Sequence, residues 1–161
     1  MKIRTGIGFD IHKLVDKRSL YLGGIAIPYH KGLLGHSDGD CLIHAIVDAL
    51  LGAMGEKDIG QQFPDTDSRI KDMRSPELLA RVIELLDRKK GRIANIDSVV
   101  IAEKPRLAAH IPEMKDVLCR ILKLGEESLG IKARTHEGLG PIGQGEAIAA
   151  WATVLLFFED N

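Results

Sequence analysis

The sequence predicts an α+β fold in which a mixed β-sheet carries helices packed on one side. Three observations predict it. The chain opens on a segment of strand period, a Gly-Gly hairpin signal follows, and the later strand candidates alternate with helix-period runs too irregularly for a repeating βαβ array. At 161 residues, 45% hydrophobic and 28% charged, the chain suits one full core, and we read residues 1–161 as a single domain without repeats or linkers.

Lys2 to His12 alternates, with Ile3, Thr5, Ile7, Phe9 and Ile11 on one face and Arg4, Gly6, Gly8, Asp10 and His12 on the other. The isoleucine and phenylalanine face is the one expected to seek the core. Gly23-Gly24 between Leu20-Tyr21-Leu22 and Ile25-Ala26-Ile27 marks a two-residue hairpin, because both glycines tolerate positive φ. Gly32–Gly39 reads as loop. Ser37 or Asp38 then caps a helix running to about Met54, apolar almost all round and therefore buried, with one polar stripe of Asp40, His44 and Asp48 spaced four apart. Gly55–Arg74, rich in Gly, Pro and Asp, reads as a long functional loop. Ser75-Pro76-Glu77 gives a cap, a first-turn proline and an acidic first turn to a helix closed by Lys89, Lys90 and Gly91. Ile96–Glu103 is a strand, Pro112–Leu124 an amphipathic helix stopped by Gly125, and Ile131–His136 a strand. Gly145–Phe158 is read as a strand, since Trp151, Thr153, Val154, Phe157 and Phe158 suit a pleated surface.

Composition excludes several functions. The 22 basic and 23 acidic side chains leave a net charge of −1, without the phosphate-neutralising excess that nonspecific nucleic-acid binding needs. The longest apolar runs, 41–54 and 147–158, fall short of the ~20 residues that span a bilayer. The first residues enter a patterned strand without a signal or transit leader, so the expected setting is the cytosol. Cys41 and Cys119 lie in apolar helical runs and are read as small buried hydrophobes, not a disulfide.

Chemistry gathers at few places. Asp10 and His12 share a strand face, and His44 stands alone with Asp40 and Asp48 in an otherwise apolar helix, either aspartate being placed to accept the proton on its second ring nitrogen. Two histidines and one aspartate form a zinc set with an open fourth position, as at a catalytic site. On spacing alone, a satisfied core histidine and a turn aspartate explain them better than a metal does. His36-Ser37-Asp38-Gly39-Asp40 precedes a helix, where free N–H groups either attract a phosphate or are simply capped. Thr135-His136-Glu137 enters a glycine-dense turn, where Glu137 suits a hard cation such as Mg²⁺ or Mn²⁺ that also binds phosphate oxygens, although taken alone the motif reads better as a solvated loop. Phe63-Pro64-Asp65-Thr66-Asp67 and Lys104-Pro105-Arg106 read as well as rigid surface corners.

Taken together, Gly8-Phe9-Asp10-Ile11-His12, His36-Ser37-Asp38-Gly39-Asp40 with His44, Asp58-Ile59-Gly60, Phe63-Pro64-Asp65-Thr66-Asp67, His110-Ile111-Pro112 and Thr135-His136-Glu137 resemble, in order and spacing, the 2-C-methyl-D-erythritol 2,4-cyclodiphosphate synthase family, over essentially the whole chain. The resemblance implies an α+β subunit of ferredoxin-like topology, a homotrimer with active sites between subunits, and a place in the bacterial cytosol in the non-mevalonate route to isoprenoids. The implied activity is a phosphorus-oxygen lyase. It turns 4-diphosphocytidyl-2-C-methyl-D-erythritol 2-phosphate into the cyclic diphosphate and releases CMP. By the same likeness Asp10, His12 and His44 hold Zn²⁺, one ion per subunit. His36 and Thr135 stabilise the transition state, and Glu137, with the substrate phosphates, binds a second cation, Mg²⁺ or Mn²⁺. Ser37, Asp58, Ile59, Gly60, Phe63, Asp65 and Asp67 position the erythritol part, which Asp10, His12 and His36 also border. The segment Ala102–Ala108, through Ala102, Lys104, Arg106 and Leu107, encloses the cytidine diphosphate moiety together with Arg134.

This implied reaction is physically coherent. The substrate's own 2-phosphate oxygen attacks its β-phosphorus and CMP departs, so the enzyme's task is to fold one molecule upon itself. No protein nucleophile is needed, and Ser37 is read as a contact. The sequence departs from the family pattern at Arg134 and His136, where threonines are common. It departs again at Pro141 and Gln144, which stand where relatives carry an aromatic and an arginine lining a central cavity for an isoprenoid diphosphate. Weak or absent binding of such a ligand is expected here. Two other readings use the same residues: a zinc-assisted phosphoester hydrolase, and a trimeric binding module in which metal only holds the fold.

Overall fold

A computed structural model of the chain describes residues 1–35, 37–64 and 73–159. Five strands form one sheet in the order β4-β1-β7-β5-β6: β1 is Lys2–Asp16, β4 Lys31–Leu33, β5 Gly91–Ile101, β6 Leu129–Arg134 and β7 Ala147–Phe158. β2 (Leu20–Leu22) and β3 (Ile25–Ile27) pair separately around the Gly23-Gly24 turn, where φ is +61° and +82°. β7 runs antiparallel to both β1 and β5, whereas β5 and β6 are parallel. The sheet is thus mixed. The mixed sheet is as expected, whereas its parallel β5–β6 pair departs from ferredoxin-like topology; β7 lies between β1 and β5, which run parallel to each other.

The long helices lie on one side. α1 (Cys41–Met54) crosses β1 and β7, with α3 (Ser75–Arg88) and α4 (Ile111–Leu122) beside it, and α2 (Ile59–Gln62) and α5 (Gly140–Gly143) are single turns. Leu42, Ile43, Ile46, Leu50 and Leu51 of α1 are fully buried, packed with Leu79, Ile96, Met114 and Leu118. Each such side chain contributes roughly 1.5–3 kcal/mol by leaving water. Among the described residues no helix is long and apolar enough to cross a membrane. Cys41 is buried in the core and Cys119 half-buried, both as free thiols.

The face of β1 that meets the helices is the opposite of the one expected. Ile3, Ile7, Phe9 and Ile11 are 44–70% exposed, while the glycine face lies against α1. A β-carbon on Gly6 would stand 1.9 Å from the carbonyl oxygen of Ala49, and one on Gly8 equally close to that of Ala45. Two strand residues advance ~6.8 Å and four helical residues 6 Å, so strand and helix run in step, backbone against backbone. Close approach, not side-chain hydrophobicity, selects this face.

Other boundaries also moved. The loop read over Gly32–Gly39 begins inside β4, Lys31–Leu33, because pairing with Leu14–Asp16 satisfies that backbone. Ser37 and Asp38 do not cap α1; Asp40 does, accepting from Ile43 N. Ser75 is the first residue of α3 and not its cap, and Arg74, which precedes it, makes no side-chain cap bond. The stretch read as loop contains α2, capped by Asp58. α4 ends at Leu122 with a left-handed Lys123, earlier than Gly125, and β5 begins at Gly91, well before Ile96.

Candidate metal centre

Beyond Gly6 and Gly8, the same face of β1 presents Asp10 and His12, and α1, held close by the glycines, presents His44 to them. Asp10 Oδ2 lies 2.9 Å from His12 Nε2 and 3.0 Å from His44 Nδ1, and the two ring nitrogens are 3.3 Å apart. An ion ~2.0–2.1 Å from each corner of a tetrahedron requires edges of about 3.3 Å, so the triangle has the size of a zinc-type site. Among the described residues this is the group of His, Cys, Asp and Glu side chains able to hold a metal. Its side chains keep 19–27% of their surface exposed, which leaves one side open to a ligand.

The outward nitrogens decide what the inward atoms are. His12 Nδ1 donates to the carbonyl oxygen of Leu34 at 2.6 Å, and a carbonyl only accepts. His44 Nε2 is 3.0 Å from Ser75 Oγ, whose single proton goes to the Asp38 carboxylate, so the serine accepts from the ring. Both ring protons point outward. Three lone pairs therefore converge, from Asp10 Oδ2, His12 Nε2 and His44 Nδ1, and a cation is what satisfies them. Without one, the pair of groups compensates by charge: burial opposes ionisation of both, yet their mutual hydrogen bond and attraction raise His12 above the ordinary histidine value, and with His44 hold Asp10 well below the usual carboxylate range.

Neither Asp40 nor Asp48 accepts a proton from His44, contrary to expectation. Asp40 is fully buried and takes N–H bonds from Gly23 (3.0 Å), Gly24 (2.7 Å) and Ile43 (3.0 Å), pinning the hairpin turn to the start of α1. Asp48 takes the N–H of Ile59 at 2.8 Å and so holds the Asp58-Ile59-Gly60 turn against the helix. The polar stripe on α1 thus holds three different segments. The partner that Asp40 and Asp48 were expected to supply is Ser75, 31 residues from His44 in sequence, backed by Asp38, 37 residues from Ser75. Ser-Pro-Glu carries only the sign of a helix start, and no local signal marks that pairing.

A second group of expected site residues gathers at the same end of the sheet. The parallel strands β5 and β6 end side by side, and Ala102 N donates to Arg134 O at 2.9 Å, so Ala102–Leu107 and Thr135–Gly138 leave together. Ala102 and Leu107 are buried, whereas Lys104, Arg106 and Arg134 are exposed. Glu137, exposed and left-handed at φ +52°, accepts from Thr135 Oγ1 at 3.2 Å. Glu103, which the sequence reading passed over, fixes that turn by accepting from the backbone N–H groups of His136 (3.2 Å) and Gly138 (3.4 Å). The register Asp10–Ala150–Val100–Ala133 places β1 two strand intervals from the end of β5 and three from that of β6, roughly 10 and 14 Å.

Asp58 is exposed and bonded by Gln61, whose donors lower its carboxyl pKa. Ile59 and Phe63 pack on the core edge, and Gly60 is exposed. Ser37 Oγ donates to Met73 O, and Arg18 donates to the carbonyls of Gly35 and Ser37, holding the turn before α1. His36, Asp65 and Asp67 lie outside the described residues.

The YgbB family model matches residues 3–157. A curated 2-C-methyl-D-erythritol 2,4-cyclodiphosphate synthase of Synechococcus sp. (strain JA-2-3B'a(2-13)) is 55% identical over 154 residues, covering 96% of this chain and 98% of the relative. The chain belongs to the 2-C-methyl-D-erythritol 2,4-cyclodiphosphate synthase family. Among solved structures, the bifunctional IspDF from Campylobacter jejuni aligns with a TM-score of 0.92 at 40% identity, over 99% of this chain and 43% of that longer one. A synthase of the same name solved in its CDP-bound form aligns with a TM-score of 0.90 at 38% identity, over 96% of this chain and all of that one. Family members thus share the fold in which the Asp10–His12–His44 triangle is set.

Proposed function

We infer that the chain acts as one cyclodiphosphate synthase domain, converting 4-diphosphocytidyl-2-C-methyl-D-erythritol 2-phosphate into 2-C-methyl-D-erythritol 2,4-cyclodiphosphate and CMP. The observation that carries this is the convergence of three acceptor atoms whose ring protons are committed outward. Asp10, His12 and His44 would hold Zn²⁺, and Glu137 with the substrate phosphates a second cation, Mg²⁺ or Mn²⁺. Bound divalent cations supply charge neutralisation between phosphates and at the leaving group. The CDP-bound relative supports a cytidine diphosphate moiety as the anchor, here taken by Ala102–Leu107 and Arg134.

The remaining residues orient. Asp58, Ile59, Gly60 and Phe63, with Ser37, Asp65 and Asp67, position the erythritol part, while His36 and Thr135 stabilise the transition state. With both phosphates held, the 2-phosphate oxygen forms its bond to the β-phosphorus as the bond to CMP breaks.

The same reading takes the protein as a homotrimer in the bacterial cytosol. Its support is twofold. β1, which carries Asp10 and His12, and β5, from which the nucleotide segment leaves, are two strand intervals apart within one chain, roughly 10 Å, and the open sheet face carries Ile7, Phe9, Ile11 and Trp151 at 39–70% exposure, with the Phe9 and Trp151 rings 4.3 Å apart. A neighbouring copy on that face covers the apolar surface and brings its nucleotide segment to this triad. Pro141 and Gln144 are exposed at α5, and no tight isoprenoid diphosphate binding is expected there.

Phosphorus NMR of the products tests the activity. A cyclic diphosphate with equimolar CMP supports it; linear phosphates alone would mean hydrolysis.

A further inference from the structure

We propose that Ser75 and Asp38 are positioning residues for the metal centre: together they fix the tautomer of His44 and thereby make Nδ1, not Nε2, its ligand atom. This rests on the metal reading above and adds to it the device that sets one ligand.

The two side chains form a closed, dry relay. Ser75 is 1% exposed and Asp38 9%. Asp38 is anchored by three donors: Ser75 Oγ and Asp40 N on Oδ1, the latter at 3.3 Å, and Ser75 N on Oδ2 at 2.9 Å. Its carboxylate has no proton to return, so the serine hydroxyl has one orientation open to it and offers its lone pair to His44 Nε2. An imidazole that donates through one nitrogen presents a lone pair at the other, and a carboxylate behind the acceptor makes that lone pair more basic.

The relay also ties two parts of the chain together. Asp38 sits in the turn before α1, and Ser75 opens α3. Two residues before Ser75, the carbonyl of Met73 accepts from Ser37 Oγ. The ligand on α1 is therefore held by the segment that closes the substrate-positioning stretch, and a displacement of either is felt at the ion.

Zinc affinity, read by competition with a chromogenic chelator, and the ¹⁵N spectrum of histidine-labelled protein with bound zinc test this. The wild-type protein is expected to show His44 protonated at Nε2 and metallated at Nδ1. Ser75→Ala and Asp38→Asn are each expected to bind zinc 10–100-fold more weakly while keeping the wild-type far-ultraviolet dichroism. A purely structural role would lower the melting temperature without shifting the tautomer or the affinity. Zinc on His44 Nε2 in the wild type, or a folded Ser75→Ala protein of unchanged zinc affinity, overturns the proposal. If both variants unfold, the wild-type spectrum alone decides. A protein that binds zinc through Nδ1 yet fails to cyclise substrate leaves the relay standing and removes the activity; one that binds no zinc removes both.

Discussion

Gly8 lies so close to Ala45 that the carbonyl oxygen of the alanine occupies the space where a side chain would begin, 1.9 Å from the position of a β-carbon. The contact is between two backbones, so no rotamer change relieves it, and the spacing it sets brings His44 to Asp10. Gly8→Ala is expected to cost about 3 kcal/mol of stability, the upper part of the range for overpacking, and to weaken metal binding at the same time. Urea unfolding in the presence of chelator, with a separate zinc titration, measures both. A variant as stable as the parent would show that strand and helix can part without loss.

Asp40 joins the hairpin turn to α1 through three N–H donors in a fully buried place. Asp40→Ala leaves those donors unsatisfied and is expected to destabilise by ~2–4 kcal/mol, Asp40→Asn by less because one acceptor remains. Burial, assisted by the nearby Asp38 charge, raises this carboxyl's pKa despite its donors. The sign follows: its contribution to stability is full below the ordinary carboxylate value and is lost as pH rises through the raised one. The Asn variant should therefore show a flatter stability profile as pH rises above about 4, the ordinary carboxylate value. An unchanged profile would remove Asp40 as its source.

Metal binding should release protons. His12 is raised by Asp10 against the opposing effect of burial, so in the metal-free protein it holds its proton to a higher pH than a free histidine, while Asp10 stays ionised into strong acid. The His12–Asp10 interaction stabilises the metal-free fold below the ordinary histidine value and is lost as pH rises through the raised one, and a metal ion replaces the proton. Zinc affinity should fall as the pH drops through that raised value, and calorimetry in buffers of different ionisation enthalpy should show net proton release. A heat independent of buffer would contradict this.

Phe9 and Trp151 face each other across β1 and β7 on the open side of the sheet. Phe9→Arg puts a charge into that apolar face without touching the core. Analytical ultracentrifugation should find trimer for the parent and monomer for the variant, with CMP release lost because the nucleotide segment of a neighbour is gone. A monomeric variant of full activity would place the whole site within one chain.

Much of this was legible from the residues. The strand periodicity of Asp10 and His12 and the lone polar stripe around His44 marked the three side chains that the structure brings together, because chemistry that expensive to bury stands out in an apolar helix, and the family resemblance marked them as a metal set. The face of β1 was misread because hydrophobicity was weighed without backbone contact: glycine has no side chain to bury, yet Gly6 and Gly8 meet α1, and the isoleucines face outward. Ser75 and Asp38 escaped because a hydrogen bond between residues 37 positions apart leaves no local pattern. Glu103 escaped for a related reason: its partners are backbone N–H groups, which every sequence has.

The most direct test is anomalous diffraction at the zinc edge from crystals grown with zinc and CMP. A single peak ~2.0–2.2 Å from Asp10 Oδ2, His12 Nε2 and His44 Nδ1 is the predicted result. Full occupancy elsewhere, with these three atoms left without an ion between them, would contradict it.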